Sequence, residues 1–267
     1  KTIRYTSLAL VLVALLIIPL FASCSASGNY ANDEAYPELD YSKDENYEGA
    51  LAQLDATIAA ANKYESADVA AEAAEFIPQV YMQQGNTALK AKDMATAVAA
   101  YTKVIELEPA NGNAMLRLGQ VYTATGKVDE AVAAFEQAAA NGQEKTANKQ
   151  LSTLFLKKAQ AAVKAKKFQE AVDFAAKSNS YIESANAYRM AASAYQQLNN
   201  TAECIASYEK YLELNPNAKD ANGVKYTIAA LAQTAGDKEK AKNYYEQVLG
   251  DPKFGAAAKQ QYDALNK

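Results

Sequence analysis

Histidine is absent from all 267 residues, and that one absence removes the imidazole general base, the Ser-His-Asp triad and the histidine metal ligand together. Cysteine is nearly absent. Only Cys24 and Cys204 occur, so one disulfide is the most the chain can form, and none forms if Cys24 is chemically modified. Basic charge is also short: 27 Lys and Arg stand against 31 Asp and Glu, a formal net charge of −4. A nucleic-acid partner needs a basic face for its phosphates, so none is expected. Six prolines and 11 glycines break the chain rarely, and what remains is 50% hydrophobic and 22% charged. That is the composition of an alanine-rich helical protein with ample material for a core.

The stretch from Pro78 to Lys145 repeats one pattern of small and aromatic residues 34 residues apart. In Tyr81 to Ala88 and Met115 to Tyr122, an apolar side chain is followed four residues later by Gly85 or Gly119 and three later by Ala88 or Tyr122. All three fall on one helical face. After a short polar break at Ala91-Lys92-Asp93 or Thr125-Gly126-Lys127, a second apolar face follows: Ala97, Val98, Tyr101 and Val104, or Ala131, Val132, Phe135 and Ala138. Gly85 with Ala97, and Gly119 with Ala131, let two antiparallel helices approach closely while Tyr101 or Phe135 covers the seam. Asp93 and Asp129 stand at the starts of the second helices, where a carboxylate can cap free N–H groups. Asn111-Gly112 and Asn141-Gly142 mark turns between hairpins. One such hairpin cannot bury its apolar face alone, so copies stack.

The period, the Gly/Ala pair, the second-helix aromatic and the closing Glu106-Leu107-Glu108-Pro109 resemble the tetratricopeptide repeat family. The resemblance implies an all-α fold, a right-handed solenoid of stacked antiparallel helix pairs. Later copies support it. A third, at Ser152 to Ala185, carries Phe155, Ala159 and Ala162, then Phe168, Ala171 and Val172, with Ala175 where the aromatic belongs. Its spacing from the second copy is 40 rather than 34, and the extra residues near Asn141 to Ala147 are expected to lengthen a turn. A fourth copy has Tyr188, Ala192 and Tyr195, then Cys204, Tyr208, Tyr211 and Leu212, and the fifth has Ile228, Ala229 and Ala232, then Ala241, Tyr245 and Val248. Residues 46–77 read as a degenerate helical pair, and 78–267 as the repeat solenoid closed by a capping helix from Gly255. Pro78 either kinks the helix around Ser66 to Phe76 or starts the next one.

At the N-terminus, Lys1 and Arg4 precede an uncharged run from Tyr5 to Ser23, whose centre, Leu8 to Ile18, is continuously apolar. Residues 1–23 have the shape of a secretory signal peptide. Ala22-Ser23-Cys24 resembles the bacterial lipoprotein signal, with Phe21 departing from its usual aliphatic residue. The resemblance implies that Cys24 receives a diacylglyceryl group and becomes the new N-terminus. Ser25, lacking the inner-membrane retention Asp, favours the outer membrane, with the repeats in the periplasm. An uncleaved membrane helix is the alternative, since ~17 to 25 apolar residues span a bilayer, although Pro19 interrupts the run. Residues 24–45, rich in acidic side chains and without helical period, read as a disordered tether.

Chemistry finds few footholds. Asp44, Asn46, Glu48 and Asp55 only loosely match a calcium-loop spacing, and the carboxylates are better explained by a helix N-terminus. Gly119 with Gly126-Lys127 lacks the spacing, hydroxyl residue and preceding strand of a phosphate loop. Cys204 occupies the small helix-contact position and reads as a buried hydrophobe. No catalytic residue, metal or cofactor is expected; an enzyme would have to be a carboxylate-based hydrolase.

The family resemblance implies that the first helices line a concave groove. Gln83 and Asn86, Asn113, Arg117 and Gln120, and Asn186 and Arg189 are then the peptide-contact positions, together with Gln79, Met82, Lys90, Leu116, Ser193 and Gln196. Amides and arginines hold an extended backbone or a carboxylate. Met82 stands where the family's carboxylate-clamp variant has Lys. The expectation is a lipid-anchored adaptor binding an envelope protein or an extended segment of one, in outer-membrane assembly, a pilus or a secretion machine. The rival is a structural protein that associates with copies of itself.

Overall fold

A computed structural model describes residues 46–266, and every helix or strand assigned among them is a helix. Cys24, the apolar run and the acidic stretch lie outside the described residues. Two compact units divide the chain at Gly142 and Gln143.

Unit 1 holds α1 (Tyr47–Lys63), α2 (Ala67–Ala91), α3 (Met94–Leu107), α4 (Gly112–Ala124) and α5 (Val128–Ala138). Short polar side chains set the starts: Asn46, Asp93 and Asn111 accept from the N–H of Gly49, Thr96 and Ala114, satisfying donors that a helix cannot pair internally. The Thr96 hydroxyl and N–H also hold the Asp93 carboxyl below its ordinary range. Asp129 does not cap. Lys127 takes the cap position of α5 without a side-chain bond, and Asp129 sits in the first turn, where its charge suits the helix dipole. Pro78 neither starts a helix nor ends one, but lies buried inside the 25 residues of α2. The stretch Ser66 to Phe76 is therefore continuous with the first helix of the Tyr81 to Ala88 repeat.

The seams close as the small residues require. A Cβ built on Gly85 would stand 2.7 Å from the Tyr101 ring, and one on Gly119 equally close to the Phe135 ring. Tyr101 is wholly buried, and Ala88, Ala97 and Val121 join it in one cluster. Tyr47 bonds Thr87 at 2.7 Å and ties α1 to α2.

Unit 2 holds α6 (Glu144–Lys164), α7 (Phe168–Tyr181), α8 (Ala185–Gln197), α9 (Thr201–Leu214), α10 (Ala221–Thr234), α11 (Lys238–Glu246) and α12 (Gly255–Leu265). The extra residues of the third copy do not lengthen a turn. They are helical, making α6 21 residues long against 13 in α4 and in α8, and the chain kinks before it at Asn141 and Gly142, the latter at φ +84°. Helical propensity explains the difference, since Glu144 to Gln150 holds no Gly or Pro to stop the helix. Where Ala175 replaces the aromatic, it packs in one cluster with Ala159, Ala187 and Ala191, against Leu156, Phe174 and Tyr195, while Phe155 stacks between Phe174 and Tyr181, at 6.3 and 5.9 Å between centroids. Ser152 and Ser178, both buried, bond each other at 3.0 Å, and Ser178 Oγ also donates to the Ser152 carbonyl. At the far end Ala258, Tyr262 and Leu265 of α12 pack on Ile228, Ala232 and Tyr245, covering apolar surface that α10 and α11 would otherwise expose.

Candidate functional site

On α2 and α4 the packing faces are taken by Gly85, Ala88, Met115, Gly119 and Val121; Leu116, expected on the groove face, is buried with them, and helical geometry turns Gln83, Asn113 and Arg117 outward. Gln83 and Asn113 are exposed, with Asn113 in the first turn of α4. Asn86 is half-buried, and its side-chain oxygen accepts from the Tyr101 hydroxyl at 3.0 Å. Arg117 is exposed, and its Nη1 donates to Gln120 Oε1 at 3.2 Å. Burial pushes the Tyr101 hydroxyl above its ordinary range, and the positive field of Arg117 partly offsets that rise.

Asn86 with Tyr101 and Arg117 with Gln120 are therefore two polar pairs, linked by the field of Arg117 at the Tyr101 hydroxyl. Their chemistry is that of a receptor for an acceptor group. The guanidinium has further N–H groups beyond the one given to Gln120, and among the described residues no ion pair engages it. Tyr101 was expected only as a seam residue. The signal for its second role is the hydroxyl itself, which Phe135 lacks at the same repeat position.

In unit 2 the arginine at a groove position is already paired. Arg189 pairs with Asp220 at 2.9 Å and lies 5.7 Å from the Tyr211 ring centre, while the Tyr211 hydroxyl donates to the same carboxylate at 2.5 Å. Asn186 is exposed in the first turn of α8. The residues missed from sequence are Tyr211 and Asp220, whose positions on α9 and in the loop before α10 gave no periodic sign of meeting Arg189.

Cys204 lines an open cleft of about 480 Å³ together with Gln196, Gln197, Thr201 and Leu231. Its Sγ donates to the Ala192 carbonyl at 3.3 Å, and burial pushes the thiol up to about 11. A protonated, hydrogen-bonded thiol is a poor nucleophile. Among the described residues no group of three or more His, Cys, Asp or Glu is placed to hold a metal ion, and no helix is long and apolar enough to cross a membrane.

Sequence models of the tetratricopeptide repeat match residues 88–154, 185–218 and 223–250. The chain carries tetratricopeptide repeats. Solved structures of similar repeat proteins include "Crystal structure of MamA protein", 20% identical over 68% of this chain and 96% of that one, with a TM-score of 0.39. Another is "Crystal structure of YrrB: a TPR protein with an unusual peptide-binding site", 19% identical over 68% and 91%, with a TM-score of 0.36. The tetratricopeptide domain of P58(IPK) is 20% identical over 83% of this chain and 64% of that one, with a TM-score of 0.39. No curated protein matches this chain. Tetratricopeptide repeats are protein-interaction scaffolds, and in this chain the faces left free by repeat packing are where an interaction has room to form.

Proposed function

We propose that this protein is a lipid-anchored adaptor of the bacterial cell envelope, held by Cys24 and binding an extended segment of another envelope protein through Asn86, Arg117 and Gln120, without catalysing a reaction. One observation carries the binding half: Arg117 is exposed, oriented by Gln120, and in no ion pair among the described residues, whereas Arg189 is already paired with Asp220. An arginine with its geometry set and its charge unspent is the group best suited to grip a carboxylate or a carbonyl of an extended chain. The anchor half rests on the charged start, apolar run and small residues before Cys24.

A library of random peptides with free C-termini, passed over the immobilised protein, tests the site. Selected peptides should bind Arg117→Ala at least tenfold more weakly, as loss of a charge-assisted bond worth about 1.5–3 kcal/mol requires. Lys103→Ala, which removes a surface lysine already paired with Glu106 at 2.6 Å, should bind like the parent. Equal binding by both variants moves the site away from Arg117. For the anchor, Cys24→Ala should abolish incorporation of labelled fatty acid in bacterial cells, and undiminished labelling defeats that half alone.

A further inference from the structure

The two units carry opposite charge. Residues 46–142 hold 12 acidic and six basic side chains, while residues 143–267 hold 13 acidic and 18 basic. Most of the contrast is concentrated on two helix faces. On α6, Lys145, Lys149, Lys157 and Lys164 are exposed, and at 100° per residue they lie within one arc of about 120°, opposite buried Leu151, Phe155 and Ala162. Thr153 and Gln160 fill the gaps, and the single acid of α6, Glu144, points elsewhere. On α2, Asp68, Glu72 and Glu75 are exposed in an arc of about 60° that holds no lysine until Lys90 near the helix end.

Neither row is neutralised by another described residue. Among the described residues no ion pair engages any of these seven side chains. Elsewhere the protein pairs such charges locally: Lys103 with Glu106, Lys167 with Glu170, Lys210 with Glu213 and Lys259 with Asp263. Two further lysines of the α6–α7 hairpin are spent on rings, Lys158 on Phe174 at 4.5 Å and Lys177 on Phe155 at 4.9 Å. The acidic row suits the N-terminal end of its helix dipole, but Lys145 in the first turn of α6 opposes its own, and like charges four residues apart repel. Helix stability therefore accounts for Lys164, in the last turn of α6, but not for Lys145, Lys149 and Lys157.

We propose that the occupant of the α6 lysine face is a second copy of this chain, presenting the α2 row of Asp68, Glu72 and Glu75. Asp68 to Glu75 spans seven residues and so does Lys157 to Lys164, about 10 Å along a helix, so two helices laid side by side bring the ends of the acidic row opposite two ammonium groups. The contact joins unlike faces, the acidic face of one copy and the basic face of the other. The acidic row lies on the same face of α2 as Asn86, which follows Glu75 by eleven residues, and the contact differs from the Arg117 site in the charges it uses. Attraction between exposed rows is short-ranged at physiological salt, with a screening length of about 8 Å, so the association is salt-sensitive.

The test uses the full chain in nonionic detergent, mixing copies labelled with heavy nitrogen with unlabelled ones and treating them with a carbodiimide that joins amines to carboxylates. Mixed-isotope cross-links between Glu72 or Glu75 and Lys149 or Lys157 are expected at low salt and are lost at high salt. The double variant Lys149→Glu with Lys157→Glu should reduce mixed-isotope linkage between α2 and α6 about tenfold. So should Glu72→Lys with Glu75→Lys, while circular dichroism of both stays that of the parent. Mixing the two variants restores a complementary pair, so Glu72 or Glu75 of one should again link to Lys149 or Lys157 of the other. Cross-links of one isotope only, failure of the mixture to restore linkage, or binding of the lysine face to polyglutamate with no link between copies would overturn the proposal.

Discussion

Unit 1 and unit 2 close the same kind of helix seam with different materials, and the difference decides which polar groups are left over. In unit 1 the ring of Tyr101 or Phe135 lies directly on a glycine, so the seam is settled by shape, and among the described residues no ion pair engages Arg117. In the first hairpin of unit 2 no ring comes from the repeat position. Phe155, Phe174 and Tyr181 stack instead, and the buried pair of Ser152 and Ser178 completes the contact. Further along unit 2, Arg189 is drawn into a cluster with Tyr211 and Asp220. The repeat pattern specifies that helices meet, and the substitutions within it decide whether an arginine is structural or available.

The sharpest way to break this comparison is to remove the ring on which the unusual seam depends. Phe155→Ala should destabilise unit 2 by about 3–5 kcal/mol, the cost of deleting a buried aromatic. Thermal melting reads the loss, and hydrogen exchange should place it in α6 and α7; an unchanged melt would mean the stack does not carry the hairpin. Gly119→Leu attacks the other material. With a Cβ already 2.7 Å from Phe135, the larger side chain should cost about 1–3 kcal/mol by overpacking, seen as a lower denaturant midpoint. A parental midpoint would show that α4 and α5 are not in contact there.

Ser178→Ala tests whether the polar pair is needed as well as the rings. Leaving Ser152 short of a buried partner should cost about 1–2 kcal/mol, while Ser178→Thr, which keeps the hydroxyl, should recover part of that bond if the added methyl fits. The arginines should separate cleanly. Arg189→Ala should lose about 0.5 kcal/mol, the scale of a largely exposed ion pair, whereas Arg117→Ala should leave unfolding within about 0.5 kcal/mol of the parent and show its effect only in peptide binding. Equal stability losses would mean that both arginines are structural.

The smallest expected effect is in alkali. Burial raises the Cys204 thiol from its ordinary value of 9.0 to about 11, so the folded protein favours the protonated form. That contribution is complete below pH 9 and is lost as pH rises through about 11. Melting temperature should fall across this window, and Cys204→Ala should fall less. Identical alkaline slopes would mean that Cys204 is as solvated folded as unfolded.

The helices and their pairing were legible along the chain because they depend on separations of three, four and 34 residues, which a periodic pattern records. Gly85 against Tyr101, Gly119 against Phe135 and Asp93 at the head of α3 all follow from side-chain size or capping chemistry within one hairpin. The exposure of Gln83, Asn113 and Arg117 was legible for the same reason, as what remains once the packing face is assigned. Tertiary structure alone decided the partners. It placed Asn86 against the Tyr101 hydroxyl, Gln120 beside Arg117, Asp220 on Arg189 and Ser152 on Ser178, and it carried α2 through Pro78 and extended α6 through the residues expected to form a turn. Those outcomes depend on the distance between groups on different helices and on backbone bonds shared along a whole helix. Periodicity tells which way a side chain faces; the neighbour it meets is set by packing between elements.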